Sequence, residues 1–136
     1  MIEKGRDYRA LRGYKYQLLA PVSIQTPYRP PELITSSMFW VALNERGWLT
    51  VRRGYNWDGP SGPSIDTDSF MRGSLFHDAL YQLLREGKLS ADGSDRQIAD
   101  ELLRDICLAD GMSRFRAWYV YRTLRIAGGK AARREK

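Results

Sequence analysis

The sequence is poor in the residues that cross-link small proteins or bind zinc. It contains one cysteine, Cys107, and one histidine, His77, among 136 residues. One cysteine cannot form an intrachain disulfide, and no Cys/His spacing typical of a zinc site is present. The chain must therefore be stabilised by its hydrophobic core or by a ligand, as is typical of cytosolic proteins.

Long apolar segments are also missing. No run approaches the roughly 18 to 20 apolar residues of a membrane-spanning helix, and the N-terminal sequence MIEKGRDYR is too polar for a signal peptide. We therefore expect a protein that starts out in the cytoplasm. A length of 136 residues, 43% of them apolar, predicts one domain with a core of its own.

The positive charge is concentrated at the C-terminal end. The chain has 22 basic and 16 acidic residues and a formal net charge of +6. Residues 111–136 contain 8 of the basic and 1 of the acidic residues, so residues 1–110 are close to neutral. A surface that follows nucleic-acid phosphates needs Lys and Arg clustered on the fold itself, so this distribution disfavours a nucleic-acid-binding domain.

Alternating side chains predict a β-rich N-terminal part. Tyr14, Tyr16 and Leu18 alternate with polar residues, which is the period of a half-buried strand. The segment 26–31 contains three prolines, which lack the backbone donor that strand pairing needs, so a loop is predicted there.

A hairpin and a long loop are predicted next. The short β-rich runs Met38–Leu43 and Trp48–Arg53 flank Asn44-Glu45-Arg46-Gly47, a linker typical of hairpins. The following residues 54–67, GYNWDGPSGPSIDT, are rich in Gly, Pro and Asp without periodicity, which predicts an ordered or functional loop.

From Asp68 onward the apolar spacing becomes that of helices. Three helices are predicted, from Asp68 or Ser69 to Glu86, from Asp95 to Ala109 and from Ser113 to Ile126. The expected fold is a single α+β domain over residues 1–126, with antiparallel strands in 1–55, a loop in 56–67 and helices in 68–126. Residues 127–136 are expected to be a basic, flexible tail.

The only histidine lies in the first predicted helix beside other polar side chains. Asp78 follows His77 directly, and Tyr81 lies one turn further along the same face as His77. On the next helix Asp100, in preference to Asp95, offers a carboxylate toward His77. A carboxylate that holds one imidazole nitrogen fixes the tautomer and leaves the other nitrogen free to take a proton from water.

Two interpretations of this region are open. A lone histidine is most often a core residue bonded to a backbone carbonyl, and a stretch rich in Gly and Pro is usually a plain connector. The adjacent acids favour a functional site instead, because Asp58, Gly59, Gly62 and Asp78 can supply the all-oxygen shell that a hard cation such as Ca²⁺ needs.

The spacing of these residues resembles that of secreted phospholipase A2. The string Trp57-x-Gly59-x-Ser61-Gly62…Asp68…His77-Asp78-x-x-Tyr81 is similar, without gaps, to the Y-x-G-x-G-G…D…H-D-x-x-Y of its calcium loop and active-site helix. The similarity covers residues 55–107. The disulfides of that family have no counterpart here, one loop glycine is Ser61, and the β-rich part is not shared.

The resemblance implies a calcium-dependent hydrolase. The loop carbonyls of Trp57, Gly59 and Ser61 and the carboxylate of Asp78 would bind Ca²⁺, and His77 would be the general base for the attacking water.

A supporting aspartate is implied as well, held by Tyr81. The order D-x-x-[L/F]-x-D of bacterial members is similar to Asp100-Glu101-Leu102-Leu103-Arg104-Asp105, which makes Asp100 the preferred residue. Asp95-Arg96 resembles the animal version of the same helix and stays an alternative.

A longer signature is similar to an uncharacterised family of phage and prophage proteins. That signature, G-Y-x-W-D-G-x-S-x-P followed by H-D-x-L-Y and a later A-D, is present at residues 54–63, 77–81 and 99–100. Its length makes it specific, and it leaves the function open.

The third predicted helix permits two interpretations. Its aromatic residues complete the core while its arginines are solvated, or Phe115, Trp118 and Tyr119 together with the arginines suit an anionic phospholipid surface. Nucleic acid stays an alternative for the basic tail, through phosphate contacts alone.

Two functions are therefore expected from different classes. The first is a phage-encoded, phospholipase A2-like lipid ester hydrolase with bound Ca²⁺, acting in attack on the host envelope or in lysis. The second is a non-enzymatic virion or accessory protein that contacts other virion proteins, in which the motif is a structural polar network. The expected locations are the host cytoplasm, its membrane surface or the virion.

Overall fold

The N-terminal part of the chain forms two small antiparallel sheets in the computed structural model, which describes residues 1–12, 15–58, 68–90, 93–127 and 129. One sheet has the strand order β1-β2-β7 and the other the order β3-β6-β5-β4. The strands are β1 (Tyr8–Ala10), β2 (Tyr16–Leu18), β3 (Val22–Gln25), β4 (Ile34–Thr35), β5 (Val41–Leu43), β6 (Trp48–Val51) and β7 (Asn56–Trp57).

The predicted hairpin is confirmed. Strands β5 and β6 pair with Leu43 opposite Leu49, and the Asn44 side-chain oxygen accepts hydrogen bonds from the backbone N–H groups of Arg46 and Trp48. Gly47 closes the turn with φ +86°, and a Cβ there would lie 2.5 Å from the backbone oxygen of Thr26. Only glycine satisfies both conditions.

Two predicted boundaries are wrong. Met38 and Phe39 do not begin a strand, because Ser37–Phe39 form a short 3-10 helix closed by a bond from the Phe39 N–H to the Ser36 carbonyl. The predicted loop 56–67 begins instead with β7, which pairs with β2. Its residues 59–67 lie outside the described part of the chain, as do Tyr14 and most of the predicted tail 127–136.

Three helices follow, and their ends agree with the predicted ones to within one residue. They are α1 (Asp68–Arg85), α2 (Ser94–Ala109) and α3 (Arg114–Ala127). The α+β fold class is therefore confirmed. None of the helices within the described ranges is long and apolar enough to cross a membrane.

Helix α1 lies at the centre of the packing. Its fully buried side chains, among them Leu75, Phe76 and Leu80, meet the inner faces of the strands, including Leu43 and Leu49, in the main core. A second cluster joins α1 to α2 and α3. This arrangement leaves a polar strip of α1 facing α2.

Gly73 sets the distance between the first two helices. A Cβ at this position would lie 2.7 Å from the sulfur of Cys107 and 3.3 Å from the Leu103 carbonyl oxygen. The backbones of α1 and α2 can approach this closely only because Gly73 has no side chain.

Candidate active site

Asp100 on α2 is the centre of a buried polar network. Its side chain has no solvent exposure. One oxygen, Oδ1, lies 2.8 Å from His77 Nε2 and accepts a 2.6 Å hydrogen bond from the Tyr81 hydroxyl. The other, Oδ2, accepts a 2.8 Å hydrogen bond from Arg125 Nη1 and lies 3.6 Å from Arg96 Nη1. The network thus joins all three helices.

Helix geometry explains why these side chains meet. His77 and Tyr81 are one turn apart on α1, so both point toward α2, and their rings stack at 4.1 Å between centroids. Asp100 faces them across the helix pair. The expected alternative, Asp95, is turned away, because its carboxylate accepts a hydrogen bond from the Ser90 N–H at the start of α2.

The network keeps Asp100 ionised. Burial acts to raise the pKa of this carboxyl, but the hydrogen bonds from His77, Tyr81 and Arg125 outweigh burial, so the pKa lies below its usual value. An ionised carboxylate has no proton to donate. His77 Nε2 is therefore the donor in the 2.8 Å bond to Oδ1.

The tautomer of His77 follows from this bond. With the proton on Nε2, Nδ1 of the neutral imidazole is an acceptor. Nδ1 makes no hydrogen bond to any group in the described part of the chain, and 7% of the residue surface is solvent-accessible. The available nitrogen of His77 can therefore accept a proton from a water molecule.

Tyr81 remains a phenol under all physiological conditions. Burial, together with the hydrogen bond to the charged Asp100, raises the pKa of its hydroxyl. Tyr81 is therefore the donor in its hydrogen bond to Asp100 and holds that carboxylate in place.

Asp78 lies on the neighbouring side of α1, close to Asp58. Its pKa is raised to about 6, chiefly by burial and further by the negative charge of Asp58, while a hydrogen bond from the Asp58 backbone opposes the shift. Bringing two carboxylates together at a partly desolvated position is unfavourable unless a cation offsets their charge. Lys15 approaches Asp58 only to 4.0 Å at an exposed position.

Trp57 ties the sheet to α1 beside this acidic pair. Its indole N–H donates to the Ser74 hydroxyl at 3.1 Å, and Ser74 lies one turn before His77. Trp57 is buried and also packs against Tyr8 and Tyr16. Its backbone lies in β7, immediately before Asp58.

Two of the expected calcium ligands, Gly59 and Ser61, lie outside the described residues. Among the residues that the structure does describe, no three His, Cys, Asp or Glu side chains form a group that could hold a metal ion. The described part thus contributes two carboxylates at most, and further oxygen ligands would come from the chain after Asp58.

Sequence reasoning missed the two arginines of the network and Ser74. Arg96 precedes Asp100 by four residues, a spacing that places both on one helix face and could have indicated the pair. Arg125 has no such signal, because its contact depends on how α3 packs on α2. Ser74 likewise meets Trp57 only in the folded chain.

The structure bears on the first interpretation of α3, in which its aromatic residues complete the core. Phe115, Trp118 and Tyr119 do not complete the core, since each is more than half exposed. Ala117, Val120 and the half-buried Leu124 take that role.

Comparisons with protein-family models, with curated proteins and with solved structures find no match.

Proposed function

We propose that this chain is a phage-encoded, phospholipase A2-like hydrolase of lipid esters in which His77 is the general base. The observation that supports it most is the 2.8 Å bond between His77 Nε2 and the ionised Asp100, which leaves Nδ1 as the proton acceptor. The gapless motif from Trp57 to Tyr81 supplies the substrate class.

In the proposed reaction His77 Nδ1 takes a proton from water while the water oxygen attacks the ester carbonyl. Asp100 stabilises the imidazolium that forms and keeps its ring in position. The same proton then passes from Nδ1 to the leaving alcohol oxygen as the acyl–oxygen bond breaks. Asp100 and Tyr81 act as positioning residues and do not touch the substrate.

The donor chemistry beside the histidine suits a calcium ion, since Asp78 lies close to Asp58 and carboxylate oxygens are ligands that Ca²⁺ prefers. Asp78 would bind it together with the carbonyls of Trp57, Gly59 and Ser61 that the resemblance implies. Bound Ca²⁺ would supply positive charge to the developing oxyanion.

The test is acyl-chain release from phosphatidylglycerol vesicles in millimolar Ca²⁺. The parent protein is expected to release fatty acid, and His77→Gln to release none. Tyr28→Phe is the matched control, because it removes a partly buried hydrogen bond to the Asp95 carbonyl without touching His77. Absence of release by the parent protein, or unchanged release by His77→Gln, would refute the proposed reaction.

A second function is supported by the same network. Asp100 contacts side chains from α1, α2 and α3 simultaneously, which is what a structural brace requires. We propose as the alternative a non-enzymatic phage virion protein with this brace. Stoichiometric presence of the chain in purified particles, together with no acyl release, would favour it.

A further inference from the structure

The outward face of α3 is apolar although it faces solvent. Phe115, Trp118, Tyr119 and Ile126 are 75%, 55%, 57% and 79% exposed. Their spacings of three, four and eleven residues place them on one side of the helix, around Arg122. The opposite side of α3, with Ala117, Val120 and Leu124, meets the core. We call the first side the outer stripe.

The surroundings of the outer stripe are positively charged. Helix α3 contains four arginines and no acidic residue. Arg114 and Arg122 form no ion pair with any carboxylate in the described residues. The stripe therefore combines exposed apolar side chains with unneutralised positive charge.

A cavity of about 370 Å³ opens beside the outer stripe, between α2 and α3. Its walls contain Arg104, Arg114 and Arg122 together with Trp118 and Tyr121. Aromatic rings hold two of the guanidinium groups, since Arg104 lies 4.9 Å from the Tyr121 ring centre and Arg122 lies 5.8 Å from that of Trp118. Arg104 also pairs with the exposed Asp105, so Arg114 and Arg122 are the cations left for a ligand.

We propose that the outer stripe docks on an anionic phospholipid bilayer, with a lipid phosphate in the cavity between α2 and α3. Guanidinium groups bind phosphate oxygens through paired N–H donors. Exposed Trp, Tyr, Phe and Ile side chains enter the boundary between headgroups and acyl chains. The choice of a lipid surface rests in part on the proposed function, but the docking itself requires none of the residues around His77.

Charge argues against a second copy of the chain as the occupant. In a two-fold symmetric dimer that pairs two outer stripes, Arg122 and its neighbouring arginines would lie opposite the same arginines of the second copy, with no acidic residue of α3 to neutralise them. Nucleic acid fits less well. Phe115 and Ile126 cannot bind phosphates, and they occupy positions at which a surface that binds a nucleic-acid backbone needs Lys or Arg.

The test uses the full chain with the His77→Gln substitution, so that the vesicles stay intact. We expect sedimentation with phosphatidylglycerol vesicles at least roughly tenfold stronger than with phosphatidylcholine vesicles, and weakened by salt. Arg114→Gln combined with Arg122→Gln should weaken binding roughly 30-fold, because each arginine near an anionic surface contributes about 1 kcal/mol to binding. Trp118→Ala should also weaken it and abolish the blue shift of tryptophan fluorescence.

The control is Arg46→Gln, which removes an exposed arginine on the β5–β6 turn and should leave binding unchanged. Equal binding to both kinds of vesicle, or undiminished binding by the double arginine variant, would overturn the proposal. So would tighter binding to a single-stranded oligonucleotide, or a dimer that the double variant dissociates. A separate assay measures acyl release from a monomeric short-chain ester by the chain with His77 present. This assay tests the proposed function alone, because it needs no binding to a membrane.

Discussion

His77 on α1 and Asp100 on α2 are joined by a 2.8 Å hydrogen bond between Nε2 and Oδ1, although 23 residues separate them in the sequence. Both side chains are buried, and the aspartate has no exposure at all. A buried carboxylate is tolerated only when its hydrogen-bond capacity is filled, and here both of its oxygens are occupied. The pair can therefore either stabilise the fold or take part in proton transfer. Stability and hydrolysis measured on the same variants distinguish these two roles.

Tyr81→Phe removes the 2.6 Å hydrogen bond to Asp100 while leaving the ring in place. Because the acceptor is charged, we expect a loss of about 1.5 to 3 kcal/mol in the free energy of unfolding. Acyl release should fall by less than about tenfold, since His77 and Asp100 remain paired. Urea unfolding and vesicle hydrolysis measure the two effects. A complete loss of hydrolysis in a well-folded Tyr81→Phe variant would contradict the positioning role.

Asp100 should make the stability depend on pH in the acid range. Its pKa is lowered in the folded state, so its contribution is present above the unfolded value of about 3.9 and is lost as the pH falls through the folded value. Asp100→Asn should cost about 3 kcal/mol at pH 7, and this difference from the parent should shrink below about pH 4.

Urea unfolding at pH 7, 5, 3 and 2 measures that difference. Asp105→Asn removes an exposed carboxylate from the same helix. Its free energy of unfolding should differ very little from that of the parent at any of these pH values. If the difference in free energy of unfolding between the parent and Asp100→Asn stays constant down to pH 2, Asp100 is not ionised in the folded protein.

Calcium should stabilise the chain through Asp78. A ligand at ten times its dissociation constant adds about 1.4 kcal/mol to the free energy of unfolding, so the melting temperature should rise in millimolar Ca²⁺. Asp78→Asn should remove this rise, because it takes away a charged oxygen ligand. Glu101→Gln is the control on α2, since Glu101 makes only a solvent-exposed hydrogen bond with Gln97 among the described residues. If the parent and Asp78→Asn respond alike to Ca²⁺, Asp78 is not a calcium ligand.

Gly73→Ala should destabilise the contact between α1 and α2. The new Cβ would lie 2.7 Å from the Cys107 sulfur, and such overpacking costs about 1 to 3 kcal/mol. That exceeds the gain of about 1 kcal/mol from better helix propensity. In a chain that also has Cys107→Ala, the space left by the sulfur should make Gly73→Ala neutral or stabilising. Equal effects of Gly73→Ala in both backgrounds would show that Cys107 does not limit the approach.

The sequence predicts those parts of the fold and site that depend on local periodicity. The helical spacing from Asp68 onward gives three helices, and the same spacing places His77 and Tyr81 on one face. These relationships hold within single helices, so side-chain spacing is enough to predict them. The preference for Asp100 over Asp95 comes from the resemblance instead, because a shift of about two residues in the phase of α2 would exchange the two carboxylates.

Periodicity fails where two solutions satisfy the same pattern. Helix α3 is apolar on both sides, so its sequence alone does not tell whether Trp118 or Val120 faces the core. Met38 and Phe39 favour a strand, but the turn at Ser36 prevails locally. Arg125 reaches Asp100 only through the packing of α3 on α2, a long-range contact that no local pattern contains.

The single cysteine has a practical consequence for experiments on this protein. Cys107 is fully enclosed between helices, and burial raises the pKa of its thiol to about 12. At neutral pH it is therefore almost entirely in the unreactive thiol form. A cysteine introduced on the surface, for example by Ile126→Cys, can consequently be labelled with a spectroscopic probe in the otherwise unaltered chain, and its depth in a bilayer can be measured directly.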